Sequence, residues 1–123
     1  MRIKDLMKKP VVIEKDVSLS DAAKIMTKNS ISSLIIERDG KIVGMITNKD
    51  LIKHFGESGR VFEIMTKKVI SIKEDDKVQR AIELVRDKEL GIFPVTDSKD
   101  RLVGVIDSKD LLKIWDNDDF LID

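Results

Sequence analysis

The stretch Ile42-Val43-Gly44-Met45-Ile46-Thr47-Asn48-Lys49-Asp50-Leu51-Ile52-Lys53 returns sixty residues later as Leu102-Val103-Gly104-Val105-Ile106-Asp107-Ser108-Lys109-Asp110-Leu111-Leu112-Lys113. Seven of the twelve positions are identical, and most of the others exchange one apolar residue for another. Such a duplication decides the architecture before any single element is read, because each copy is one supersecondary unit. Upstream, the spacing Leu19, Ala22, Ala23, Met26 recurs at an offset of 59 as Val78, Ala81, Ile82, Val85. Both are i, i+3, i+4, i+7 stripes of an amphipathic helix. The lead-in Ile3-Lys4-Asp5-Leu6-Met7 corresponds to Val61-Phe62-Glu63-Ile64-Met65 at an offset of 58. The drift from 58 to 60 predicts single-residue loop insertions within one shared architecture.

Each repeat therefore reads as β-α-β-β-α. A short extended stretch (Val11 to Glu14; Val69 to Lys73) leads into a first helix, about 19 to 29 and 77 to 89. In the first repeat a hairpin joins Ile31–Glu37 to Lys41–Ile46 through Arg38-Asp39-Gly40, where Asp-Gly supplies the positive φ of a tight turn. The second repeat uses Asp97-Ser98-Lys99-Asp100, one residue longer. Second helices are predicted from Asn48 to Phe55 and from Ser108 to Trp115. Ser18 with Asp21 three residues on resembles a capping box. The equivalent cap position is Lys77, so the second repeat's first helix is expected to rely on Asp75 or Asp76. Gly56-Glu57-Ser58-Gly59 marks the boundary, dividing the chain into repeats 1–58 and 59–123. One hairpin and two helices do not easily close a core alone, so the repeats are expected to pack together about a pseudo-twofold axis as one α/β module.

Composition narrows the function. The 123 residues carry 23 basic and 23 acidic side chains, one His and no Cys. Disulfides, thiolate zinc sites and cysteine nucleophiles are excluded, and acid–base or metal clusters have few possible members. With no phosphate-cradling glycine loop either, an enzyme is not expected. Residues 1–58 hold a net charge of +3 and residues 59–123 a net charge of −3, so neither half is a basic nucleic-acid surface. No run approaches the roughly 20 apolar residues that span a bilayer, and Met1-Arg2-Ile3-Lys4-Asp5 lacks a signal-peptide apolar region, which predicts a cytoplasmic protein.

The lead-in Met7-Lys8-Lys9-Pro10-Val11-Val12, the strand Gly91-Ile92-Phe93-Pro94-Val95-Thr96-Asp97 and the paired Gly-x-Ile-Thr/Asp-x-Lys-Asp-Leu segments together resemble a tandem pair of CBS domains. This is the regulatory module named after cystathionine β-synthase. The resemblance covers about 7–56 and 65–116, as in a stand-alone CBS-domain protein of the Bateman type. It implies a module that holds an adenosine-containing ligand (AMP, ADP, ATP or S-adenosylmethionine) in the cleft between the repeats and signals to a partner protein. It also implies a homodimer built on helices. No required cofactor, metal, membrane or specific nucleic acid is implied.

The family pattern Gly-x-x-Thr/Ser-x-x-Asp matches Gly44, Thr47 and Asp50. By resemblance the hydroxyl faces phosphate, the carboxylate accepts the ribose hydroxyls, and adenine sits in an apolar slot from the other repeat. That slot comprises Val69, Ile70, Leu90, Gly91, Ile92 and Pro94. A second site pairs Asp107 and Asp110 with Val11, Val12, Ile31, Ser32 and Ser33. Asp107 departs from the pattern: an ionised carboxylate repels phosphate and cannot donate a hydrogen bond. The Thr47/Asp50 site is therefore the preferred nucleotide site.

Other readings of the same residues stand beside these. Thr47-Asn48-Lys49-Asp50 is also a capping box and Asp107 is a good N-cap, so both segments serve equally to start helices. Gly44 and Gly104 suit either a ligand or a close packing contact. His54 reads as a partly buried helix residue. Phe55 and Trp115 end the second helices and suit either a dimer surface or the core. The same pair could equally serve as a ligand-independent dimerisation module.

Overall fold

The protein is described here by a computed structural model covering residues 1–88 and 91–115. After a 3-10 turn at Ile3–Asp5 come β1 (Val12–Ile13), α1 (Leu19–Lys28), β2 (Ser33–Arg38), β3 (Lys41–Thr47) and α2 (Asn48–Lys53). The second series is α3 (Val61–Ile64), β4 (Ile72–Lys73), α4 (Val78–Lys88), β5 (Ile92–Thr96), β6 (Leu102–Asp107) and α5 (Ser108–Trp115). Both repeats thus show the expected β-α-β-β-α order. Each builds a three-stranded mixed sheet, β1-β2-β3 or β4-β5-β6, with the parallel pair on one side and the hairpin on the other.

The helical stripes explain the cores. In α1, Leu19, Ala22 and Met26 are buried with Leu34, Ile36, Ile46 and Val61. In α4, Val78, Ala81 and Leu84 are buried with Ile3, Ile72, Phe93, Val95, Ile106 and Leu111. Membership of these clusters does not follow the sequence repeats. The spatial units are Val11–Val69, and Met1–Pro10 together with the chain from Ile70 onward. Each lead-in segment has left the repeat it precedes: Ile3 closes the core of the second sheet and Val61 that of the first.

Backbone pairing fixes this exchange. Lys8 N donates to Val105 O and Val105 N to Lys8 O, both at 2.9 Å. Thr66 and Met45 make the equivalent pair at 2.9 and 3.0 Å. Further up each lead-in, Ile3 N bonds Asp76 O and Val61 N bonds Val17 O, again at 2.9 Å. An edge strand offers free N–H and C=O groups, and a short bridge from the lead-in occupies some of them on β6 and β3.

Several local expectations are refined. The Asp39-Gly40 turn has φ of 53° and 79°, the two positive values a tight hairpin needs. Ser18 caps α1 by accepting from Asp21 N at 3.0 Å. Helix α4 does not rely on Asp75 or Asp76 as expected. Asp75 pairs with Lys4 and Asp76 accepts from Lys73 N, while Val78 N donates to Met1 O. The lead-in backbone supplies the acceptor that the sequence at Lys77 lacks. Helix α2 ends at Lys53, short of Phe55, because the chain leaves helical geometry at His54 and takes positive φ at Gly56. In β5, Pro94 stands where β2 has Ile35. Ile35 pairs with Val12 of β1, but β4 pairs only from Val95 onward, since proline has no N–H for that ladder.

Candidate functional site

The start of α2 is built by a reciprocal capping arrangement. Strand β3 ends at Thr47, which pairs with Ser33 of β2, and the next amide, Asn48 N, donates to Ser32 O at 2.9 Å. Thr47 N donates to Asp50 Oδ2 at 2.8 Å, Thr47 Oγ1 donates to the same oxygen at 3.1 Å, and Asp50 N donates to Thr47 Oγ1 at 3.3 Å. The capping reading of this segment is therefore realised in full. It does not consume the carboxylate, since these bonds employ Oδ2 and leave Oδ1 outside them. Asp50 and Thr47 are half-buried, so a hydroxyl and a carboxylate stand together at a helix start where free N–H groups favour anionic groups.

The start of α5 repeats the scaffold with different chemistry. Ile92 pairs with Asp107, and Ser108 N donates to Gly91 O at 2.9 Å, as Asn48 does to Ser32. Asp107 caps the helix by accepting from Lys109 N at 2.9 Å. The side-chain bond from Thr47 Oγ1 to Asp50 has no counterpart here, because two carboxylates cannot share a hydrogen bond without a proton. Asp110 instead faces Lys8, whose Nζ lies 3.0 Å from Oδ2. That contact is an ion pair and not an aligned hydrogen bond: Oδ2 is buried and accepts none. Sequence reading missed Lys8. The visible signal was the difference between Lys8 and Thr66 at matching positions of the lead-ins.

The apolar positions expected around adenine are distributed as follows. Val11, Val12 and Ile31 are half-buried, Ser32 is exposed and Ser33 buried, all in the same unit as Thr47, Asp50 and the half-buried Val69. Ile70 and Gly91 are exposed and Ile92 half-buried, in the unit that holds Asp107 and Asp110. Pro94 is fully buried. Leu90 lies outside the described residues, as does the segment 116–123. The structure thus brings Ser32 and Ser33 to Thr47, and Gly91 and Ile92 to Asp107, each within one unit.

The remaining candidates resolve simply. A Cβ on Gly104 would stand 2.7 Å from Met7 Sδ, and one on Gly44 would collide with Met65, so both glycines serve the packing of the exchanged lead-ins. His54 is half-buried, with Nδ1 2.7 Å from Glu57 Oε2. Lys49 and Lys109 are exposed. Phe55 is 90% exposed and so belongs to no core. Among the described residues there is no group of three side chains suited to a metal ion, and no helix is long and apolar enough to cross a membrane.

Two mixed three-stranded sheets, each with a glycine-bearing hairpin strand running into a short capped helix, define a tandem CBS pair. The CBS domain family matches residues 3–57 and 61–117, and the chain belongs to it. Among solved structures it is similar to the CBS domain pair of protein MJ0100, in complex with 5′-methylthioadenosine and S-adenosyl-L-methionine. The TM-score is 0.86 at 32% identity, over 94% of this chain and 95% of that one. It is also 35% identical over 116 residues to an L-aspartate semialdehyde sulfurtransferase of Methanocaldococcus jannaschii. That match takes in 92% of this chain and 23% of the relative. An uncharacterized protein of the same organism is 28% identical, with 92% and 90% covered. The chain spans about a quarter of the length of the first curated relatives, which carry enzyme names.

Proposed function

We propose that this CBS pair is a regulatory module that binds an adenosine-containing ligand and signals its presence to a partner protein. The ligand is AMP, ADP, ATP or S-adenosylmethionine. Thr47 and Asp50 form the preferred site, with the hydroxyl toward phosphate and the carboxylate toward the ribose hydroxyls. Asp107 and Asp110 serve a second site. The observation that carries this reading is the likeness, at 32% identity over nearly the full length of both chains, to a CBS pair holding two adenosyl compounds. The uncommitted Oδ1 of Asp50 supports it, since a ribose diol needs a carboxylate oxygen free of other donors. Signalling follows if the ligand binds one arrangement of the pair more tightly than another.

Isothermal titration against AMP, ADP, ATP, adenosine and S-adenosylmethionine tests this, on wild type and on Asp50→Asn. Asparagine keeps an acceptor for Thr47 N and removes the charge. Saturable binding that the variant loses supports the reading. Absence of heat with every ligand, with an unchanged melting temperature, overturns it.

One observation favours a second reading, a ligand-independent dimerisation module. Helix α2 and its C-cap region expose Ile52 and Phe55, 72% and 90% respectively, and α5 exposes Leu112. Apolar side chains so exposed suit contact with a second copy of the chain. Sedimentation of Phe55→Asp against wild type separates a dimer held by this face from one held elsewhere.

A further inference from the structure

The two helix starts share one backbone scaffold but differ at two positions: Thr47 is replaced by Asp107, and Thr66 by Lys8. Thr66 and Lys8 make the same pair of backbone bonds to the hairpin strand, so each side chain leaves the lead-in at the same point beside its helix start. At α2 this places a short hydroxyl side chain. At α5 it places an ammonium 3.0 Å from Asp110, the counterpart of Asp50.

We infer that Lys8, by pairing with the Asp110 carboxylate, competes with an adenosyl ligand for it and makes the Asp110 site the weaker of the two. This rests on the reading that the helix-start aspartates receive ribose. The argument is electrostatic and steric together. Asp110 is only 21% exposed and its Oδ2 is fully covered, so an incoming hydroxyl is left with Oδ1 of a carboxylate whose charge Lys8 already offsets. The ammonium donates and cannot accept, so it offers a ribose O–H no acceptor in place of the carboxylate. Among the described residues no cation pairs with Asp50, whose Oδ2 accepts from its own helix cap and whose Oδ1 is left to the ligand. Lys8 also offsets the extra negative charge at Asp107, giving the two helix starts the same formal charge.

The test uses 5′-methylthioadenosine, a neutral adenosyl probe, in calorimetric titrations. Asp50→Asn isolates the Asp110 site and Asp110→Asn isolates the Asp50 site. Lys8→Met, which keeps the aliphatic stem and every backbone bond, is expected to tighten binding in the Asp50→Asn background by about fivefold, the scale of a partly exposed ion pair. Lys8→Arg is expected to restore the wild-type weakness. In the Asp110→Asn background Lys8→Met changes nothing, whereas Thr66→Lys installs the competing ammonium beside Asp50 and weakens binding there. Unchanged or weaker binding at the Asp110 site in Lys8→Met, with the Asp50 site intact, overturns the inference alone. No binding of the probe, of S-adenosylmethionine or of the adenine nucleotides to wild type overturns the nucleotide reading and the inference with it.

Discussion

Met7 lies over Gly104 so closely that any side chain on the glycine would meet it: a Cβ there would be 2.7 Å from Met7 Sδ and 3.0 Å from Lys8 O. The equivalent contact is made by Met65 over Gly44. The glycine that marks each hairpin strand is thus the seat of a lead-in arriving from elsewhere in the chain. At Gly104 one neighbour is a backbone carbonyl engaged in the Lys8–Val105 bridge, while at Gly44 all three nearest atoms belong to a flexible methionine.

That difference sets the cost of filling the space. Gly104→Ala is expected to destabilise the protein by about 1–3 kcal/mol, the usual penalty of overpacking, and Gly44→Ala by less, because Met65 can change rotamer. Urea midpoints of the two variants check the order. Equal losses would mean that the bridge at Lys8 yields as easily as a methionine side chain.

The capping box separates two properties of Asp50. Asp50→Ala is expected to cost about 1 kcal/mol by removing the acceptor for Thr47 N and Oγ1, and Asp50→Asn less. Thermal melts without ligand measure this. A common stability loss in both variants would show that the carboxylate charge, and not the acceptor, starts the helix.

Phe93 is fully buried in the core that Ile3 completes. Phe93→Ala is expected to cost about 3–5 kcal/mol. Amide exchange follows where the loss falls. Residues 3–8 should lose protection together with β5 and β6, although they precede the other repeat in sequence. Protection of residues 3–8 that instead followed Leu34→Ala would contradict the exchange of lead-ins.

Asp97 organises the second hairpin turn, accepting from Arg101 N at 3.0 Å, Lys99 N at 2.9 Å and Arg101 Nε at 2.9 Å. The Arg101 amide foremost, then the Lys99 amide and the guanidinium, hold its carboxyl below the ordinary aspartate range against the opposing effect of burial. A depressed folded value means that the unfolded chain takes up the proton first. The contribution is therefore complete above about pH 4 and is lost as pH falls through the folded value. Asp97→Asn is expected to flatten the acid limb of stability against pH, read from urea midpoints. Lys4, raised by its bond and charge pairing with Asp75, works in the opposite direction: its contribution holds at neutral pH and fades as pH rises through its folded value.

Much of this was legible before any coordinates. The stripe Leu19, Ala22, Met26 and its copy Val78, Ala81 faced the cores as the spacing required. Asp39-Gly40 turned as its φ preferences dictate, and Thr47 with Asp50 formed the box that four residues suffice to specify. These are local or periodic properties, carried by residues within one or two turns of each other. Helix α2 stopped early for a reason that composition hid, since His54 followed by Gly56 ends a helix as effectively as the apolar pattern continues it.

The sequence by itself determined the duplication, the order of elements in each repeat, the faces of the helices and the residue types at the two helix starts. Local sterics and hydrophobic period dictate all of these. Only the tertiary structure decided that Met1–Pro10 joins the sheet beginning near Ile70, that Met7 and Met65 explain Gly104 and Gly44, and that Lys8 reaches Asp110 across most of the chain. Those contacts arise from which unpaired strand edge each lead-in finds. No periodicity along the chain encodes that choice, because it is made by closing long loops and not by neighbouring residues.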